Sequence, residues 1–249
     1  MGETGPAPFQ AAGCLCYLRA RHRALLCGRG DTGFHRELLA EALRFGLSSA
    51  LHQSSLYIGK LLVQGAVNTL DTAGAAAYTA AARVEGFANS FGDSGAHALS
   101  VFTAQNLGAQ KVSRVREGLR QGMLLHLLLG AALSVSMFFT AEPGVKVFLA
   151  GENGLSLSCG VSYLKTVSIF YLFCFIGSAF VGYYRGTGRV QIPVIGTALH
   201  IGIRVLLSFL LIRRMGLSAV GIAAGAGWCC AVLFQSLCLF RLRRVQGQE

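Results

Sequence analysis

Charge is what this sequence has least of. Only 13% of its 249 residues are charged and 53% are hydrophobic, with mean hydropathy +0.53, whereas a soluble domain carries about 25% charged residues. That deficit excludes an ordinary water-soluble domain and points to a membrane. Chemistry-bearing motifs are missing too. There is no nucleophile elbow, phosphate-binding loop or HExxH helix, so an enzyme has no motif to stand on and ATP is not an energy source within this chain. The eight cysteines form no CxxC. Cys14 and Cys16 lack partners for a zinc site, and Cys159, Cys174, Cys229 and Cys230 lie in or beside apolar runs, where a thiol behaves as a small hydrophobe. No metal and no cofactor is expected. The net charge of +11 does not indicate nucleic acid. Its basic residues sit in short clusters between long apolar runs, without interleaved aromatics.

What is present is a series of apolar runs long enough to span a bilayer, which takes roughly 20 residues. Six are expected, at about 42–69, 73–105, 122–140, 157–183, 190–212 and 217–240. An amphipathic lead-in at 34–44 precedes the first. Residues 1–8 read as turn-forming and 9–18 as an apolar stub too short to span. The domain reading is a disordered start, stub and basic cytoplasmic loop at 1–37, a six-helix transmembrane lobe at 38–245 and a cytoplasmic tail at 246–249. Counted from a cytoplasmic start, the inside segments 19–41, 108–121, 185–189 and 241–249 hold nearly all the loop arginines and lysines. Lys146, Arg213 and Arg214 fall outside, and the last two fit poorly. Both termini are therefore expected in the cytoplasm of a multi-pass plasma-membrane protein.

The first two spans carry the most information. They read as a hairpin turning at Leu70-Asp71-Thr72. Gln53, Tyr57, Lys60, Gln64 and Asn68 follow steps of 4, 3, 4 and 4, and Tyr78, Glu85, Asn89, Asp93 and His97 steps of 7, 4, 4 and 4. Each set keeps to one helix face. Hydrocarbon cannot solvate these groups, so both stripes are expected to face protein or a water-filled cavity.

Lys60 lies about eleven residues before Asp71 and Glu85 about fourteen after it. At roughly 1.5 Å per residue the two fall at similar depth, and they are expected to pair, either as a structural ion pair or as a cation-responsive pair lining the cavity. Asp93 lies within Gly92-Asp93-Ser94-Gly95, which reads as a flexible or broken point. Asp93 either carries a coupling ion or bonds backbone at a bend. Gln53, Gln64, Asn68 and Asn89 either contact substrate or join helices. Tyr57 and Tyr78 are candidate aromatic walls for a cation. Arg204 reads as lobe-stabilising, Arg83 as a partner of Asp71 or of solvent, and His97, His126 and His200 as packing histidines.

The stretch EALRFGLSSALHQSSLYIGKLLVQ (41–64) resembles the opening helix of the second half of multidrug and toxic compound extrusion (MATE) transporters. AAYTAAARVEGFANSFGDSGAHALSVFTAQNLGAQ (76–110) resembles the next helix and loop, and YYRGTGRVQIP (183–193) the family's fRG.G loop. Ile203-Arg204-Val205 and Gly216-Leu217…Gly221-Ile222 also match. The resemblance covers roughly 38–244. It implies an all-α polytopic protein corresponding to the second of two six-helix lobes, and secondary active export of small lipophilic or cationic compounds by antiport against H+ or Na+. The acidic residue of the family's first helix has no counterpart here, and 52–57 lacks the one found in the seventh helix of sodium-coupled members, so the coupling ion is not carried over. Two alternatives remain: an inactive fragment or membrane subunit that needs a partner lobe or a second copy, and a flippase for lipid-linked precursors, which would want a more basic cavity than one with Glu85 and Asp93.

Overall fold

Asp71 sets the first corner of the bundle. Its backbone is extended, and its side chain accepts a 2.8 Å hydrogen bond from the Gly74 amide, satisfying one of the free donors at the start of a 37-residue helix. The computed structural model describes residues 6–21, 35–149 and 154–246, in which all regular structure is helical. The elements are α1 (Pro6–Arg21), α2 (Arg36–Val67), α3 (Thr72–Gly108), α4 (Val112–Phe139), α5 (Ala141–Phe148), α6 (Gly154–Gly186), α7 (Gln191–Met215) and α8 (Ser218–Gln246).

Residues 1–44 form one compact unit, with α1 and the first turns of α2, and 45–249 form the other. The expected turn-forming start extends too far: a helix already begins at Pro6, whose fixed φ suits a first helical position. The lead-in at 34–44 is not a separate element either, since α2 runs unbroken from Arg36. The expected break at 31–33 and the turn at 151–153 lie outside the described residues.

Among the described residues, six helices are long enough to span hydrocarbon of about 30 Å. Four of them, α4, α6, α7 and α8, are also apolar enough by composition; α2 and α3 are diluted by their polar stripes. Leu124, Leu128, Phe139, Ile169, Leu206, Leu210, Leu233 and Leu237 are exposed large apolar side chains, which suits an outer surface solvated by lipid tails. The protein is an all-α polytopic membrane protein.

Helix α6 is the pillar, with α3, α4, α5 and α8 packed along it. Close approach depends on glycine. A Cβ at Gly182 would collide with the backbone of Ala96, and one at Gly186 with the Ser100 carbonyl, so α3 and α6 run parallel in near-backbone contact. Gly118 against Phe102 and Gly122 against Leu99 set α4 antiparallel to α3. Gly221 against Thr166 and Gly225 against Phe170 set α8 parallel to α6, and Gly227 against His200 sets α7 antiparallel to α8. Gly216, at φ +59°, makes the sharp turn between α7 and α8.

The same contacts correct the expected break at 92–95. Helix α3 is continuous there. Gly92 faces Ser178 and Phe175, and Gly95 faces the His126 ring, so these glycines make room for neighbours rather than loosen the chain.

The alternating directions gather Lys111, Arg114, Arg116, Arg120, Arg189 and Arg241 at one end of the second unit and Lys146, Arg213 and Arg214 at the other. At the sparser end, Glu142 opens α5 and accepts a 2.7 Å hydrogen bond from Lys146, which holds its carboxyl below the usual range.

Candidate functional site

The polar stripe of α3 meets its partners on α6. Glu85 is buried and accepts a 2.6 Å hydrogen bond from the Tyr163 hydroxyl. Arg204, midway along α7, approaches the same hydroxyl at 3.4 Å through Nη2 and interacts electrostatically with Glu85. One turn along α3, the Tyr171 hydroxyl lies 2.9 Å from the Glu85 carbonyl oxygen and 2.8 Å from Asn89 Oδ1. Cys174 Sγ is 3.6 Å from the same Asn89 oxygen. Two buried tyrosines of one helix thus hold one face of α3 in register.

Beyond this floor lies a cavity of about 240 Å³. Helix α2 contributes His52, Gln53, Leu56 and Lys60, and α3 contributes Glu85, Asn89, Asp93, Ala96 and His97. Helix α6 supplies Phe173, Cys174, Gly177, Ser178, Val181 and Arg185. The remaining wall comes from Gly196, Thr197, His200 and Arg204 of α7 and Trp228, Ala231 and Gln235 of α8. The hairpin is closed at its turn, where Val63, Ala66 and Val67 join Ala77, Ala80 and Ala81 in the apolar core. Above that core the cavity stands between α2 and α3.

Five of the residues expected on the pathway, Gln53, Lys60, Glu85, Asn89 and Asp93, do line this cavity. Three do not. Gln64 and Asn68 lie toward the closed end and bond each other at 3.0 Å. Tyr57 sits about 60° around the helix from Lys60; it is exposed, with the Lys60 ammonium 5.6 Å from its ring centroid. Tyr78 is likewise no cavity wall, being buried edge-on against Tyr163.

The expected Lys60–Glu85 pair is absent: the ion pair found among the described residues is Lys146–Glu142. Similar depth was not enough, because the cavity separates the two walls and Glu85 is taken by Tyr163. Asp71 caps α3 instead of pairing with Arg83.

Several residues at the site carried too weak a signal in the sequence. Arg185 contacts His52 Nδ1 at 2.8 Å through Nη2, so that nitrogen accepts and His52 carries its proton on Nε2. His200 stacks on Trp228, with centroids 5.8 Å apart and planes at 17°. His200 and Arg204 are four residues apart on α7 and share a face. That spacing, in a helix otherwise free of charge until Arg213, was the available signal, since ionisable residues inside a span face the protein interior.

With these residues the lining holds three cations, Lys60, Arg185 and Arg204, against two carboxyls, Glu85 and Asp93. The cavity is more basic than the stripes on α2 and α3 suggested. Among the described residues no three or more His, Cys, Asp or Glu side chains converge as a metal site.

Comparison with known proteins supplies the family. The chain is 27% identical over 234 residues to "Probable multidrug resistance protein NorM" of Thermotoga maritima, covering 92% of this chain and 48% of that protein. It is 23% identical over 215 residues to "Probable multidrug resistance protein YoeA" of Bacillus subtilis, covering 85% and 46% respectively. The chain therefore spans about half the length of the curated relatives it matches. Its fold superposes on a MOP superfamily transporter from Pyrococcus furiosus with a TM-score of 0.84 at 18% identity, over 95% of this chain and 54% of that one. The MatE family model matches residues 49–210, which takes in four of the five walls of the cavity and well over half of the sequence, and on that ground the chain belongs to the MatE family.

Proposed function

We propose that this chain is one lobe of a secondary active efflux transporter of the plasma membrane, which moves small lipophilic compounds through the cavity by antiport against H+ or Na+. The observation that carries this reading is the pair of carboxyls, Glu85 and Asp93, on one wall of a cavity set among long, predominantly apolar helices. Ionisable side chains at such depth are costly in lipid and mark ion pathways. Asp93 is exposed and is the better placed of the two to exchange a coupling ion. Glu85 is buried and bonded, and holds α3 to α6. A second lobe facing α2 and α3 would complete the cavity, and rocking of the two lobes would expose it alternately. The excess of arginine and lysine at the end holding the α3–α4 and α6–α7 turns supports a cytoplasmic location for that end.

The test is efflux of ethidium and of an anionic dye from a pump-deficient bacterium expressing the chain. Efflux that collapses when the ion gradient is dissipated is expected. Efflux that persists without a gradient would overturn the reading. A second reading, a membrane subunit or fragment that acts only with a partner lobe, is favoured by the coverage of about half of each relative; efflux would then be absent with the protein in the membrane. The basic lining also gives weight to a flippase for lipid-linked precursors, whose cargo carries phosphate.

A further inference from the structure

His200 and Arg204 are each 91% buried, by a relative exposure of 9%, yet each keeps a ring or guanidinium nitrogen with no hydrogen-bond partner among the described residues: His200 Nε2 and Arg204 Nε. Both side chains line the cavity. Neither is loosely held. His200 is stacked on Trp228 and backed by Gly227, where a Cβ would meet its ring. Arg204 is fixed at one end by the Tyr163 hydroxyl. Lys60 enters from α2 and lines, together with both of them, a smaller pocket that adjoins the cavity.

Among the described residues no carboxyl lies within ion-pair distance of Lys60 or Arg204. Glu85 instead accepts from Tyr163. A guanidinium withdrawn from water and short of a close counter-ion favours an incoming anion, and its planar fork matches carboxylate and phosphate oxygens.

We propose that Arg204, His200 and Lys60 form a subsite for the anionic oxygen group, carboxylate or phosphate, of an amphipathic molecule whose aromatic or apolar part lies against Trp228, Leu56 and Phe173. This deepens the transport reading by naming a substrate class, and it rests on that reading. It also reverses the charge expected from the resemblance, because the lining carries three cations, Lys60, Arg185 and Arg204, against two carboxyls.

Trp228 is the single tryptophan of the chain, so its emission reports on the cavity directly. The experiment uses the full chain in phosphatidylcholine vesicles, titrated with 4-nitrophenyl phosphate, 4-nitrobenzoate and 4-nitrobenzyltrimethylammonium as contact quenchers, and with inorganic phosphate as a competitor. Saturable quenching by the two anions and only collisional quenching by the cation is expected. Arg204→Gln should weaken anion binding by roughly 10–100-fold, the range of a charged hydrogen bond. Arg204→Lys should recover part of it, and Arg213→Gln, outside the cavity, should leave it unchanged.

Lys60→Gln provides a second variant that spares the core, because Lys60 is exposed, and it too should weaken the anions. Competition by inorganic phosphate at comparable concentration would support a site for the free anion. Competition only by the aromatic anions would support the headgroup of an amphiphile. Cation binding as strong as anion binding, anion binding indifferent to Arg204 and Lys60, or no saturable quenching at all would overturn the subsite. Because the readout is binding, it stands apart from efflux, which can fail for want of a second lobe while this site still binds.

Discussion

The Tyr163 hydroxyl donates to the Glu85 carboxyl at 2.6 Å. The same oxygen lies 3.4 Å from Arg204 Nη2, so one phenol on α6 joins the acid of α3 to the base of α7. Tyr163 is fully buried, and removing its hydroxyl takes a donor from a buried carboxyl. Tyr163→Phe should therefore lower the stability of the bundle by about 1.5–3 kcal/mol, the range for hydrogen bonds involving charged groups. Thermal unfolding of the chain in detergent micelles would read this. A variant as stable as the parent would mean that Glu85 finds another donor.

Helix contact through glycine gives an opposed pair of outcomes. Gly182→Ala places a methyl against the Ala96 backbone, and α3 and α6 must separate to admit it. Overpacking of this kind costs about 1–3 kcal/mol. Gly202→Ala has nothing within contact distance and lies inside α7, so it should gain up to about 1 kcal/mol of helix propensity. Melting temperatures that move in opposite directions would bear this out. A neutral Gly182→Ala would mean that the two helices are not in backbone contact.

These outcomes bear on what a sequence can disclose. The hairpin turn at Asp71 was legible because local chemistry decides it: a side chain that caps the next helix. The stripes on α2 and α3 were legible through their period. The basic half of the cavity was not. Whether His200 and Arg204 face Glu85 depends on how α7 is set against α6 and α8, and no residue within α7 records that. Gly92 and Gly95 show the same limit from the other side, since a glycine that breaks a helix and one that admits a neighbour read alike. The Lys60–Glu85 pairing failed because equal depth does not imply contact when a cavity lies between.

The cap itself can be tested. Asp71→Ala removes the acceptor for the Gly74 amide and should cost about 0.5–2 kcal/mol, whereas Asp71→Asn keeps an oxygen there and should cost less. Limited proteolysis near residues 68–72, together with thermal unfolding, would separate the two variants. Equal loss from both would indicate that the charge matters, through the positive end of the helix dipole, more than the hydrogen bond.

At the surface, Glu142 titrates below its ordinary range because of the hydrogen bond and charge of Lys146. A depressed folded-state pKa means that the pairing is fully present above the unfolded carboxyl's pKa and is lost as pH falls through the folded one. Carboxyl carbon NMR across the acidic range should show this low midpoint, and Lys146→Ala should raise it toward the ordinary value. Because the pair is exposed, it should be screened by salt and leave the unfolding temperature nearly unchanged. A large loss of stability in Lys146→Ala would contradict that.

Asp93 and Glu85 should part company in transport. Both line the cavity, but Glu85 is buried and bonded to Tyr163 whereas Asp93 is exposed, four residues beyond Asn89 on the same face. A coupling group must take up and release its ion from each side of the membrane in turn, which requires contact with water. Asp93→Asn should therefore reduce gradient-driven efflux at least about tenfold, an effect of the size expected when a general proton carrier is removed, with the unfolding temperature unchanged. Glu85→Gln should instead shift the unfolding temperature, because it alters the link among three helices. Dye efflux from cells matched for membrane content, followed with and without an imposed ion gradient, separates the two. Undiminished driven efflux in Asp93→Asn would remove Asp93 from the coupling path.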